Sequence, residues 1–503
     1  MIFIQTIKLI TKFVKKTMNA VVVLTAILFL ISNVSFGQTE LSFKIDSSRY
    51  LSKERLASKK EGWFLTGMPK LGYDPIQGIT AGVDAQLYFN STKDDPFFAW
   101  TPYRLKTELG LLFTQNGKTG VSLKFDAPYF LNTRWRTRLR FSYADNPNKP
   151  YFGIGESSLG ALSYTNPVTG NRTENMFFND YTDSLKRIRP GVAVNAGEDP
   201  SLFYTDRRYN WIHYRKYAVD LLVERSFLDG NLRVLGGLGV IDLKYTHYDF
   251  QEVQGAIDAN ENSVTATNGQ TKLTQDYLTS IHGDGSDFWS QNNISGYDGG
   301  FLTKIKAGVI YDTRNFEPDP SYGALVEYSF GYSPKWMGSD FNYVRNQIQA
   351  MKFLPVFKFM PNENVLAGRF MMSSIQGSDV FFREVFDIWS ASQGRLGVMG
   401  GEDALRGYKK FRFGGMIYGI ANLELRSRLF DVDILKQNFA FSFVPFVDAG
   451  RVWDNFQSMK FNNILISPGA GIRVAWNQST ILRFDYSVSP EDRQFFFVFG
   501  HMF

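Results

Sequence analysis

Arg134-Trp135-Arg136-Thr137-Arg138-Leu139-Arg140-Phe141-Ser142-Tyr143 carries a charge at every second position. Successive side chains of a β-strand point to opposite faces, so the four arginines share one face and Trp135, Leu139 and Phe141 the other. The same pattern recurs in Ile420–Leu429, where Asn422, Glu424, Arg426 and Arg428 alternate with Ala421, Leu423, Leu425 and Leu429. Between Ile481 and Val488, Arg483 and Asp485 face away from Leu482, Phe484 and Tyr486, and Arg104, Lys106 and Glu108 oppose Leu105, Thr107 and Leu109.

A soluble β-sandwich also alternates, with a polar face outward and an apolar face inward. Three features favour a membrane barrel instead. The strands run to about ten residues, as a tilted membrane strand requires. Short and long turns alternate along the chain, and the polar faces carry dense charge of both signs, which suits a wet lumen crossed by ion pairs.

Composition agrees with this choice. The chain has 503 residues with 46 Phe, 25 Tyr and 44 Gly, yet its mean hydropathy is negative. Nothing after Gly37 is apolar enough for a membrane helix, and lipid tolerates only helices and closed barrels. A barrel hides its lipid-facing residues by alternation, so its average hydropathy stays low. There is no cysteine, which excludes disulfides, thiolate metal sites and a lipid-modified N-terminal Cys.

The N-terminus reads as a signal peptide over residues 1–37. Lys8, Lys12, Lys15 and Lys16 form a basic region, Ala20 to Ile31 is apolar apart from Thr25, and Ser35-Phe36-Gly37 supplies small residues for cleavage. The apolar run is shorter than the ~20 residues a spanning helix needs. Removing this segment with its four lysines takes the formal charge from +6 to +2. Nucleic acid is therefore an unexpected partner, despite a precursor pI near 9.

Residues 38–71 read as a polar periplasmic leader and 72–503 as the barrel. Strands are expected near 78–89, 104–114, 118–127, 134–144, 212–227, 230–246, 300–313 and 322–333. Further strands follow near 341–355, 363–375, 415–429, 438–450, 462–476, 480–488 and 494–503. These make fifteen, and single-chain bacterial barrels are even, so a sixteenth is expected within Pro150–Tyr209. Short turns at Leu228–Asn231 and Trp476–Ser479 would face the periplasm, and the polar stretch from Asp249 to Gly299 would be an extracellular loop. Phe495, Phe497, Phe499 and Phe503 fall on one face of the last strand and fit an outward aromatic girdle. Phe499 and Phe503 resemble the C-terminal sorting signal that barrel-assembly machinery recognises in its clients.

Four motifs occur in order across the C-terminal part. Tyr311-Asp312-Thr313-Arg314 is followed by Pro318 and Gly323, and then by Gly400-Gly401-Glu402-Asp403-Ala404-Leu405-Arg406-Gly407-Tyr408. Asn422-Leu423-Glu424-Leu425-Arg426 and Phe446-Val447-Asp448-Ala449-Gly450 come next, before the Gly-rich run Gly469 to Val474. Together they resemble the bacterial surface-antigen superfamily, which includes the BamA and TamA assembly barrels and the FhaC secretion pore. The resemblance is firmest from about residue 300 to 503. It implies an all-β, transmembrane antiparallel barrel of sixteen strands, with the loop after the eleventh folded into the lumen as a plug. The loop tip would be Leu405-Arg406-Gly407-Tyr408, with Arg406 meeting Glu424 and Asp448. Alternation independently puts both carboxylates on the lumen face, and a guanidinium fork suits two of them. Such a cluster is structural rather than catalytic.

The resemblance implies assembly, insertion or translocation of polypeptides in the cell outer membrane. Expected partners are outer-membrane lipid, assembly subunits and client barrels. Family members open the seam between first and last strands, here expected at Gly78–Phe89 and Gln494–Phe503. One departure matters: residues 38–71 cannot hold a POTRA domain, the periplasmic module that receives clients. A non-catalytic accessory barrel is therefore the alternative. An enzyme is not expected. His213, His247, His282 and His501 accompany no Gly-x-Ser-x-Gly elbow, and Gly153–Ser157 lacks the lysine of a phosphate loop. Asp284 and Asp287 read as a solvated loop rather than a calcium site, so no metal and no cofactor is expected.

Overall fold

The fold is that of a computed structural model. It describes residues 50–51, 56–57, 59–74, 76–165, 171–187, 203–205 and 211–247, four short strand segments within 252–272, and 288–503 except 358, 360–361, 393, 436 and 478. The expected signal peptide and the Asp284/Asp287 pair lie outside the described residues. The strands named below all belong to one compact unit, within 44–130 and 134–503.

Sixteen long strands form its wall. They are β1 Trp63–Asp74, β2 Gly78–Phe89, β3 Leu105–Thr114, β4 Thr119–Ala127, β5 Trp135–Pro150 and β6 Trp211–Phe227. Then come β7 Leu232–His247, β8 Gly299–Asp312, β9 Gly323–Ser333, β10 Asn342–Val356 and β11 Asn364–Phe381. The wall ends with β12 Ile417–Ile434, β13 Gln437–Trp453, β14 Leu465–Trp476, β15 Thr480–Val488 and β16 Arg493–Phe499. Every neighbouring pair is antiparallel and follows chain order, from β1–β2 to β15–β16. Among the described residues no ladder joins β16 back to β1, so the barrel is nearly closed and keeps one seam. No helix among the described residues is long and apolar enough to cross a membrane.

The sixteenth strand corrects the expectation for 150–209. It is β1, which begins inside the stretch read as a leader and runs past its end at 71, and it pairs with β2 over its whole length. Among the described residues, 151–210 hold a helix, Phe178–Arg187, and only short strands such as Tyr164–Thr165 with Arg172–Thr173. β1 escaped notice for a physical reason. Its inward face is Phe64, Thr66 and Met68, all buried, followed by Lys70, which pairs with Asp84 at 2.7 Å, while Leu65 and Leu71 point outward, so both faces are largely apolar and a single charge makes no alternation. Gly67, Pro69 and Gly72 weaken the strand signal further. Pro69 is tolerated because β1 has a ladder on one side only.

Elsewhere the alternation sorts residues as its period demands. Val219, Leu238, Val309, Ile348, Phe370, Leu423, Ile466 and Phe495 are exposed outward, where no protein covers them. Arg136, Lys216, Arg233, Glu327, Arg345 and Arg473 are buried inward. One end of the barrel carries the short turns, among them Leu228–Asn231 and 477–479, and the other carries the long connections, including 382–416 between β11 and β12. Trp63, Trp135, Phe357 and Phe359 stand exposed towards the short-turn end, the placement of an interfacial aromatic belt.

Candidate functional site

The β11–β12 connection fills much of the lumen. Its first part is a hairpin, Asp387–Ser390 against Gly394–Val398, and its second is the tight turn that carries Arg406. Leu405 and Tyr408 are buried and pack with Met399, Ala404 and Phe413 against wall residues Met371, Tyr418, Ile420 and Val452. The Tyr408 and Phe413 rings meet edge-on at 5.3 Å. Gly407 has φ +93°, and a Cβ there would lie 3.0 Å from both the Ser467 side chain and the Val488 carbonyl, so only glycine fits.

Arg406 is wholly buried, as are Glu424, Asp448 and Asp485. Its Nε and Nη2 donate to the two oxygens of Asp448 at 2.8 and 2.9 Å. Nη1 donates to Glu424 at 2.9 Å and Asp485 at 2.8 Å, and the backbone N–H reaches Asp448 at 3.1 Å. The guanidinium also stacks on Phe446, 3.3 Å from the ring centroid. Burial works against its charge, but Asp448, and then Glu424 and Asp485, hold the guanidinium pKa above its ordinary value.

A second ring of groups completes the network. Asn422 donates to Asp448 at 2.9 Å and to the Ala404 carbonyl at 2.9 Å. Arg426 reaches Glu424 at 2.9 Å, and Arg473 bridges Glu424 and Asp485. Arg369 donates to the Asp403 carbonyl at 2.7 Å, and Arg483 to the Glu402 carbonyl at 3.0 Å. Side chains from β11, β12, β13, β14 and β15 thus hold one turn of the plug. A buried charge cluster of this kind fixes geometry more than it adds net stability.

The sequence places Leu405, Arg406, Gly407, Tyr408, Glu424 and Asp448 together, and so does the structure. It adds Asp485 as a third carboxylate, although alternation had already put Asp485 on the lumen face. What one strand's pattern lacks is the register across β13, β14 and β15 that brings Asp485 level with the turn.

A second anchor had no sequence signal that we recognised. Glu327, on the inner face of β9, caps the hairpin tip. It accepts from the Ala391 N–H at 2.6 Å, the Ser392 N–H at 3.0 Å and the Ser390 hydroxyl at 3.1 Å. Arg138 holds the same tip through the Ser392 carbonyl at 2.6 Å.

The last residues also depart from expectation. Phe495, Phe497 and Phe499 lie opposite Tyr486, Phe484 and Leu482 on the outward face of β16. Phe503 does not join them. The chain leaves the wall at Gly500, φ +84°, and Phe503 is buried with Met502, Phe353 and Trp389. Arg426 donates to the Phe503 carbonyl oxygen at 2.9 Å, and Arg369 to that of Met502 at 3.2 Å. A positive φ breaks the period of two, so the face expected of Phe503 from its spacing does not apply.

Among the described residues no group of His, Asp and Glu is arranged to hold a metal ion. The fold and the buried arginine cluster define a large plugged β-barrel with an unpaired seam. The Omp85 superfamily domain matches residues 103–503, and the chain belongs to that superfamily. Residues 41–104 match a domain of unknown function, DUF5982. No curated protein matches. Among solved structures, BamA from Haemophilus ducreyi lacking POTRA domains 1–3 is similar at 16% identity and TM-score 0.44, over 88% of this chain and 70% of that one. CdiB from Escherichia coli is similar at 11% identity and TM-score 0.45, over 87% of this chain and 62% of that one.

Proposed function

We propose that the chain is a cell outer-membrane barrel that inserts or translocates other polypeptides, working beside separate periplasmic subunits and carrying no enzymatic chemistry of its own. The observation that carries this reading is the seam. Among the described residues fifteen ladders hold the sixteen wall strands, and β1 and β16 share none. Where β16 has ended, side chains join β1 and β2 to the start of β15 instead: the Thr66 and Thr480 hydroxyls lie 3.1 Å apart, and Tyr88 meets the Thr480 hydroxyl and the Ser479 carbonyl at 3.2 Å each. β16 is only seven residues long, and the tail beyond it turns away from the wall.

A strand edge without a ladder partner is a template for another strand. A client hairpin entering from the lipid would add its strands there by backbone hydrogen bonding. The plug is anchored to β11–β15 and β9, so the lumen need not clear for the seam to part. A second reading, an accessory barrel that stays shut, is favoured by the density of the lumen network.

One experiment separates them. Purified full-length chain in lipid vesicles is given an unfolded outer-membrane barrel as client. The proposal expects severalfold more protease-protected, heat-modifiable client than empty vesicles give. Equal yields would leave only the accessory reading.

A further inference from the structure

The lumen also holds a cavity of about 340 Å³ that the Arg406 network does not use. Its walls are the inner faces of β3 to β6 and β8, and it is closed off by Trp389 and Ser392 of the plug hairpin and by His501 and Phe503 of the tail. Pro102, Pro318 and Ser479, from the turns, place it towards the short-turn end.

Its charge is out of balance. Among the described residues, seven lysine and arginine side chains line it against four carboxylates. Lys106 and Lys124 share the single carboxylate of Glu108, each at 2.6 Å. Arg136 takes both Asp126 at 2.6 Å and Glu317 at 3.0 Å, and Lys306 pairs with Asp220. Arg138 and Arg314 turn to Glu224 and Asp312, just behind the lining, at 2.7 and 2.9 Å. Both of those acids also serve Arg233. Asp319 stands behind His501 at 3.0 Å, so with this layer included the cations are still one ahead, and Arg140, the seventh on the wall, lies near Asp220. His501 adds nothing at neutral pH, because burial and the nearby Arg426 pull it down to about 4.

Like charges crowded in a partly dehydrated space repel, and an anion that enters relieves the repulsion. Ammonium and guanidinium groups converging from several strands suit tetrahedral oxyanions, which take a forked donor and point charges together. The volume falls at the small end of the range for ligand pockets, enough for a diphosphate-sized group. We propose that this cavity binds a phosphate-bearing anion, either the headgroup of a lipid or a soluble phosphate ester. The site is independent of which polypeptides the barrel handles.

The test uses the full chain in neutral detergent with pyrophosphate as probe, followed by titration calorimetry. Lys124→Gln with Arg140→Gln removes two lining cations and leaves Glu108 and Asp220 paired to Lys106 and Lys306. Saturable one-to-one binding is expected, weakened at least tenfold in the double variant and unchanged in Lys335→Gln, on an exposed turn away from the cavity. Lys124→Gln alone, at a half-exposed position, should weaken it severalfold and serves if the double variant loses heat-modifiability. Displacement by phosphatidylglycerol but not phosphatidylcholine assigns the site to a membrane headgroup, and displacement by neither assigns it to a soluble anion. Absence of saturable binding, or equal binding in the folded variants, overturns the proposal.

Discussion

Arg406 spends all three of its guanidinium nitrogens on carboxylates while wholly buried. Truncating one partner of such a cluster costs about 3–5 kcal/mol, because the charges left behind are uncompensated. The neighbours decide where the loss falls. Glu424 keeps Arg426 and Arg473, and Asp485 keeps Arg473 and Arg483, so Asp448, left with Asn422 and the backbone N–H of residue 406, bears most of it. Arg406→Ala should therefore lower the temperature at which the folded band is lost on heat-modifiability gels. Arg406→Lys should recover only part, since the fork is gone. Adding Asp448→Ala to Arg406→Ala should cost less than the two single changes summed. Full additivity would mean that the contact contributes nothing. A charge swap, Arg406→Glu with Asp448→Arg, should not rescue, because the new glutamate would face Glu424 and Asp485. At this scale the sequence was informative wherever a residue sits in the period of two, and silent where register between strands selects the partner.

Single elements show both sides of that limit. β5 and β12 announce themselves because arginines on one face oppose apolar residues on the other. β1 is hidden because Phe64, Thr66 and Met68 leave its inner face with one charge, Lys70, too few to alternate. The plug hairpin is held at its tip by Glu327, whose carboxylate accepts from two backbone N–H groups. Glu327→Gln turns half of that acceptor into a donor. Charge-assisted bonds of this sort contribute ~1.5–3 kcal/mol each, so amide exchange at Ala391 and Ser392 should speed at least tenfold while the strands stay protected. Unchanged exchange would show that the tip is held without Glu327, by Arg138 on its carbonyls and the Ser329 hydroxyl on the Ala391 N–H. The tail gives a paired comparison. Phe503 is buried in the lumen and Phe495 faces outward at 67% exposure. Phe503→Ala should cost roughly 3–5 kcal/mol as a core truncation, and Phe495→Ala much less in detergent, both read from the same gels. Equal losses would put Phe503 on the lipid face after all. If Phe503 also serves as a sorting signal, pulse-chase assembly of Phe503→Ala should slow by more than Arg406→Ala does.

Across the whole molecule, alternation, strand length and the order of four motifs made the barrel, its plug and its strand number readable. The seam was misplaced by one strand, because counting from Gly78 made β2 the first. That shift matters, since β2 has ladders on both sides and β1 on one. The account's central claim is that β1 and β16 part to admit other chains. The chain has no cysteine, so Thr66→Cys with Thr480→Cys adds the only thiols, at hydroxyls 3.1 Å apart on β1 and β15, and the crosslink closes the seam at the end where β16 stops. Client insertion by this variant in lipid vesicles should fall at least fivefold when the disulfide is formed and return when it is reduced. Equal insertion by the oxidised and reduced barrels, with the disulfide verified on a gel, would contradict an opening seam.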